Sequence, residues 1–267
     1  MPYALNQGVR IYWEQHGSGP PILMIMGLSF THEMWHRLVP ALVRNYRLIL
    51  FDNRGMGRSD VPKGRFSILQ MAQDAAAVMD AAGVPSAHVL GASMGGMIAQ
   101  ELTLRFPRRV CSLLLGCTSH GGLISRWPNL RYRPKTNTLS NPDRISRERS
   151  LTNLLYAETT TRELIEEDLL IRSRCSWTRE GFLKQFGAIL LWSSYLRLPR
   201  IHVPTLVVHG DQDRLIPPVN GRIVARRIPG ARFVLIPNAG HIMMTDQPDL
   251  CLDAILEFLH EREGACG

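Results

Sequence analysis

No apolar run in this 267-residue chain approaches the ~20 residues a membrane-crossing helix needs; stretches such as Ile22–Met26 stop far short. Met1–Asn6 has neither the basic start nor the apolar centre of a secretory leader. Cysteine is sparse: five residues, an odd number at irregular spacing, make no disulfide framework, and Cys111 and Cys117 sit too near each other on one strand to pair. A reduced cytoplasmic protein is expected. There is no internal repeat and no low-complexity segment. No His, Asp or Cys cluster has metal-ligand spacing and no dinucleotide fingerprint is present, so neither a metal nor a cofactor is implied. No compact Lys/Arg run with interleaved aromatics appears, so no nucleic-acid partner is expected.

What is present is an ordinary globular composition, 45% hydrophobic and 20% charged. The net charge of +8 comes mostly from arginine, dense over 126–149 and 172–200, and reads as a solvated basic face. Short apolar runs alternate with helical periodicity. Strands are expected at Tyr3–Asn6 and Val9–His16 (a hairpin through Gln7-Gly8), Ile22–Met26, Arg47–Phe51, Ala87–Leu90, Val110–Leu115, Pro204–Gly210 and Arg232–Ile236. Helices are expected after Thr31 (Met34, Leu38, Leu42 and Val43 inward), over Ser67–Ala82, after Ser93, over Pro218–Arg227 and over Pro248–His260. This is an α/β chain with a mostly parallel central sheet flanked by helices. The alternation lapses over 119–199, where helical segments such as Arg162–Arg174 and Gly181–Leu191 carry Trp127, Trp177 and Trp192. That stretch is expected to be a helical insertion in a core of 1–118 and 200–267.

The chemistry centres on Gly91-Ala92-Ser93-Met94-Gly95. A strand ends, small residues flank one serine, and a helix begins. A serine on so sharp a turn needs neighbours without side chains, and it presents its hydroxyl at a helix N-terminus, where backbone N–H groups favour a developing negative charge. Serine alone is a weak nucleophile and needs a base held in one tautomer by an acid. Two loops at later strand ends offer these groups: His209-Gly210-Asp211-Gln212-Asp213 supplies two acids and Asn238-Ala239-Gly240-His241 a histidine. His209 reads as a packed core residue, and His32 and His36 as polar surface residues near the loop after Met26.

Gly91-x-Ser93-x-Gly95, Gly210-x-x-Asp213-x-x-x-Pro217 and Gly240-His241, in that order, resemble the three catalytic motifs of the α/β-hydrolase fold. Asp52-x-Arg54-Gly55-x-Gly57-x-Ser59 resembles the loop after that superfamily's fourth strand. The likeness covers about residues 10–118 and 200–262; within the superfamily the chain is most similar to cofactor-free esterases, enol-lactonases and the so-called bromoperoxidases. The resemblance implies Ser93 as nucleophile, His241 as base, Asp213 rather than Asp211 as the acid, the backbone N–H groups of Leu28 and Met94 as oxyanion hole, and a cap over 119–199. The family's usual His-Gly before that hole is Met26-Gly27 here, which keeps the turn but drops the histidine support. Arg54 would brace the scaffold, and Phe30, His120, Trp127 and Trp192 would line the substrate pocket. The implied reaction is hydrolysis of a small carboxylic ester or lactone, acyl-homoserine and enol lactones included, by a monomer or dimer. Perhydrolysis, C–C bond hydrolysis and a slow-turnover ligand receptor are the alternatives on the same fold. Serine at 93 argues against haloalkane dehalogenases and epoxide hydrolases, which carry aspartate there.

Overall fold

The computed structural model describes residues 3–122, 124–126, 151–262, 264 and 266. β1 (Tyr3–Asn6) and β2 (Val9–His16) form the expected hairpin, with Gln7 and Gly8 both at positive φ, 50° and 79°. Two successive residues of that hand match the twist of the flanking strands. β3 (Pro21–Ile25), β4 (Arg47–Phe51), β5 (Ala87–Ala92), β6 (Val110–Gly116), β7 (Thr205–Gly210) and β8 (Arg232–Ile236) complete one sheet, ordered β1-β2-β4-β3-β5-β6-β7-β8. β2 is antiparallel to β1 and β4; all the later pairings are parallel.

The apolar runs become doubly buried strands because successive side chains face opposite ways. Leu23, Ile25, Ile49, Val89, Leu113 and Val207 enter the core on one face, and Ile22, Met24, Leu48, Leu90, Leu114 and Leu206 enter it on the other. Each such side chain contributes about 2 kcal/mol of apolar burial.

The helix expected after Thr31 is broken. A 3-10 turn, His32–Trp35, is followed by a short α1 (Val39–Leu42). Pro40 is the reason: it lacks an N–H and disfavours helical backbone at the residue before it. Thr31 caps nothing through its side chain, although Met34, Leu38 and Leu42 are buried as expected. α2 (Ile68–Ala81) starts at a capping box, in which the Ser67 hydroxyl accepts from the Gln70 N–H and the Gln70 side chain accepts from the Ser67 N–H. It packs with α3 (Met94–Arg105) on one face of the sheet.

Between β6 and β7 lie α4 (Thr152–Leu155), α5 (Arg162–Arg174) and α6 (Arg179–Leu190). The alternation then resumes with α7 (Val219–Arg227), a short α8 (Met243–Asp246) and α9 (Pro248–His260). α9 covers the opposite face of the sheet through Cys251, Ile255, Phe258 and Leu259. Among the described residues no helix is long and apolar enough to cross a membrane.

The cysteine reading needs correction. Cys111 on β6 is bonded to Cys266 near the chain end, while Cys117 and Cys251 are buried free thiols and the Cys175 thiol donates to Glu33 (2.6 Å). The partners lie 155 residues apart, a pairing that only the folded sheet brings together.

Candidate active site

Ser93 sits between β5 and α3 at φ 56° and ψ −119°. This left-handed backbone costs on the order of 1–3 kcal/mol and persists only where its surroundings hold it. Here the Ser93 N–H donates to the Gly116 carbonyl (2.9 Å) and the Thr118 hydroxyl donates to the Ser93 carbonyl (2.6 Å). The flanking glycines are required by close approach: a β-carbon on Gly91 would run into the Gly95 carbonyl, and one on Gly95 into the Ile25 carbonyl. Gly27 serves the loop after β3 in the same way, since a β-carbon there would lie 3.0 Å from that of Ser93.

Three strand ends converge on this hydroxyl. His241 Nε2 lies 3.0 Å from Ser93 Oγ, and His241 Nδ1 lies 2.8 Å from Asp213 Oδ2. The other Asp213 oxygen, Oδ1, accepts from the N–H groups of Leu215 (3.0 Å) and Ile216 (2.8 Å), which fixes the carboxylate plane. Burial alone would raise this carboxyl. The charge of His241 and the hydrogen bonds from His209 and His241 outweigh it and hold Asp213 down at about 2. The acid therefore stays ionised throughout any ordinary assay range. His209, a core residue by its sequence setting, is fully buried, and its Nε2 also lies 3.2 Å from Asp213 Oδ2 and 2.7 Å from the Ile216 carbonyl. Its part in holding the acid had no separate signal in the sequence.

Asp211 is exposed and accepts from the Ala239 N–H (3.2 Å), so it braces the turn before His241 rather than touching the imidazole. Asp246, unremarked in the sequence, accepts from the Gly240 N–H (2.6 Å), the Ala157 N–H (3.2 Å) and the Thr160 hydroxyl (2.6 Å). It ties the His241 loop to the segment after α4. Burial pushes its carboxyl up to about 6 against those three bonds.

The Met94 N–H opens α3, and the Leu28 N–H lies on the glycine turn beside Ser93. Neither has a hydrogen-bond partner among the described residues. The helix N-terminus favours an anion at that spot. Arg54 is buried and grips Asp74 through Nε (2.5 Å) and Nη2 (2.6 Å), bracing its loop as expected. His32 departs from the surface reading: it is buried, with Nδ1 2.7 Å from Asp52. Burial pulls its pKa down, but the carboxylates of Asp52, Glu14 and Glu33 outweigh that and raise it.

The candidate pocket residues separate. Phe30 follows Leu28 closely in the chain and carries the Arg172 guanidinium 4.3 Å from its ring centre. Trp127 lies outside the described residues. His120 is buried against Tyr195, with ring centres 5.0 Å apart, and its Nδ1 lies 2.9 Å from the Gly121 carbonyl. Trp192 is buried with its indole N–H on Glu101 (2.9 Å), a carboxylate that Arg105 and Arg197 also hold. The polar and ring partners of these last two side chains are Gly121, Tyr195 and, on α3, Glu101, none of them at Ser93. We therefore expect Trp192→Ala to lower Tm by about 10 °C, the cost of emptying a large buried site in a chain of this size. Acetate and octanoate esters should lose turnover in parallel. A changed ester preference at unchanged Tm would instead put Trp192 in the pocket.

No group of three or more His, Cys, Asp or Glu side chains is placed to hold a metal among the described residues. The arrangement has the parts of nucleophilic acyl transfer: a hydroxyl, an oriented imidazole and two backbone donors. The chain is 34% identical over 267 residues to a putative carbamate hydrolase, RutD, of Azorhizobium caulinodans, covering 98% of this chain and 99% of that one. It is 29% identical to a putative non-heme bromoperoxidase, BpoC, of Mycobacterium tuberculosis, over 94% of this chain and 97% of the relative. The enol-lactonase of Burkholderia xenovorans LB400 superposes with a TM-score of 0.84 at 27% identity, over 97% of this chain and all of the other. The family model for the α/β hydrolase fold matches residues 20–248, more than half of the chain, and the chain belongs to that family of hydrolases.

Proposed function

We propose that this protein hydrolyses a small carboxylic ester or lactone through an acyl-enzyme on Ser93. The observation that carries the reading is the unbroken hydrogen-bonded line from Asp213 through His241 to Ser93 Oγ, at 2.8 and 3.0 Å. Ser93 Oγ attacks the carbonyl carbon while its proton passes to His241 Nε2. The Asp213 carboxylate stabilises the imidazolium and keeps Nδ1 protonated. The carbonyl oxygen, now an anion, accepts from the Leu28 and Met94 N–H groups; removing one such donor elsewhere costs about 10²–10³ in kcat. The tetrahedral intermediate collapses, the C–O bond to the alcohol breaks, and His241 returns the proton to the leaving oxygen. Water then takes the alcohol's place. His241 accepts a proton from it as the water oxygen bonds to the acyl carbon, the acyl–Ser93 bond breaks with His241 returning that proton to Ser93 Oγ, and the free acid leaves.

The core of this reading is 1–118 with 200–267, and 119–199 forms a cap over the strand ends that selects the acyl group. Ties between the His241 loop and the 155–157 stretch of the cap support it: the Ile242 N–H donates to the Leu155 carbonyl (2.9 Å), and Asp246 reaches both sides. Two of the similar proteins, a putative carbamate hydrolase and an enol-lactonase, carry names that denote transfer of an acyl group to water, which supports the reading. A panel of nitrophenyl esters of graded length together with simple lactones tests the reading. Turnover of at least one class, lost in Ser93→Ala, is the expected outcome. Ligand-induced Tm shifts with negligible turnover of every ester and lactone would instead indicate a receptor.

A further inference from the structure

The loop that carries the Leu28 N–H reads Met26-Gly27-Leu28, whose side chains offer it no hydrogen bond, so something else must aim it. The donor belongs to the Gly27–Leu28 peptide, and a glycine leaves that plane free to rotate. In the structure the planes on both sides are pinned. The Asn53 side chain donates to the Met26 carbonyl (2.8 Å), fixing the plane before it. The Ser29 N–H donates to Gln185 Oε1 (3.1 Å), fixing the plane after it, with Ser29 itself at φ 68°. The turn between is closed by the Phe30 N–H on the Gly27 carbonyl (3.3 Å).

Gln185 lies on α6, in the segment between β6 and β7, and is fully buried. Its amide is oriented from the other end by donating Nε2–H to the Arg54 carbonyl (2.9 Å). α6 is itself seated firmly. Gly181 meets Gly55 so closely that a β-carbon on Gly181 would strike the Gly55 carbonyl, and Lys184 Nζ donates to the Pro62 carbonyl (2.6 Å). A neighbouring indole, Trp177 Nε1, donates to Ser29 Oγ (3.1 Å). The loop thus takes support from the core, through Asn53, and from the inserted segment, through Gln185 and Trp177.

We infer that Gln185 is a positioning residue for the oxyanion hole: by holding the Ser29 N–H it sets the direction of the Leu28 N–H, so the inserted helix α6 takes part in the chemical step and does more than cover it. The inference rests on the acyl-transfer reading above. Oxyanion donors act mainly in the transition state, so a misaimed donor lowers kcat and leaves KM nearly alone.

The test uses Gln185→Leu, which removes both amide contacts at similar size, and Gln185→Glu, which keeps an oxygen for the Ser29 N–H. The readouts are kcat and KM for p-nitrophenyl butyrate, the inhibition constant of phenylboronic acid, whose Ser93 adduct places an oxygen in the hole, and Tm. Gln185→Leu is expected to lower kcat roughly 10–100-fold and to weaken boronate binding by a similar factor, with KM changed less than about threefold. Gln185→Glu should recover most of both. Where Gln185→Leu does not fold, Gln185→Asn replaces it, since the shorter amide withdraws from Ser29 while remaining polar. A kcat and boronate affinity within about threefold of the parent, or losses that Glu does not recover, overturn the inference. A parent protein that neither turns over the ester nor binds the boronate, or a Ser93→Ala variant that keeps both, overturns the acyl-transfer reading itself and the inference with it.

Discussion

Ser93→Ala is expected to lower ester turnover by roughly 10⁴-fold or more while Tm moves by no more than a few degrees. The substitution removes only Oγ. The β-carbon stays, so the backbone at φ 56° is no worse off. The supports of the elbow are main-chain contacts to the Ser93 N–H and carbonyl, which alanine retains. The residual rate would come from the Leu28 and Met94 donors and from substrate binding, which act on a water nucleophile as well. Turnover within tenfold of the parent would move the nucleophile elsewhere.

The second large effect separates the two acids of one loop. Asp213→Asn should cost about 10⁴ in kcat, because an amide can present an N–H to His241 Nδ1 and favour the wrong tautomer. It also leaves the imidazolium without a counter-charge. Asp211→Asn should cost less than tenfold. Its contact is acceptance from the Ala239 N–H, and the asparagine oxygen can still accept. Measuring kcat for both variants on one ester settles the assignment, and the reverse ranking would give the acid role to Asp211.

Most of the sheet was legible because its strands are short apolar runs buried on both sides, a pattern that needs no partner to be read. The helices at Arg162–Arg174 and Pro248–His260 were legible for a similar reason, since their bounds are set by local signals. The helix expected after Thr31 failed on a local signal that was present and outweighed: Pro40 interrupts the apolar spacing of Met34, Leu38 and Leu42. The Cys111–Cys266 bond could not be read from spacing, because strand β6 and the chain end meet only in the folded sheet.

The candidate site divides in the same way. Ser93, Asp213 and His241 each end a strand within a compact motif, and the structure brings their side chains into one hydrogen-bonded line. Residues that act through distant backbone groups left no trace. Gln185 meets an N–H 156 positions away and a carbonyl 131 positions away, and neither partner advertises itself in a side chain. Trp192 reads from the sequence as a pocket wall because tryptophan in an inserted segment suggests one. Its indole N–H meets Glu101, a carboxylate buried at 2% exposure that needs every donor it has, and no sequence signal joins the two.

The central claim is that Ser93 becomes covalently acylated, and the most direct test is to see the bond. The parent protein would be mixed with a slowly hydrolysed nitrophenyl ester, quenched in acid during turnover, digested and mapped by mass spectrometry. The acyl mass should appear on the peptide that contains Ser93, in an amount matching the burst of nitrophenol, and should be missing from Ser93→Ala. A burst with the acyl group on another residue, or steady turnover of an ester shown to deacylate slowly with no adduct on Ser93, would contradict the claim.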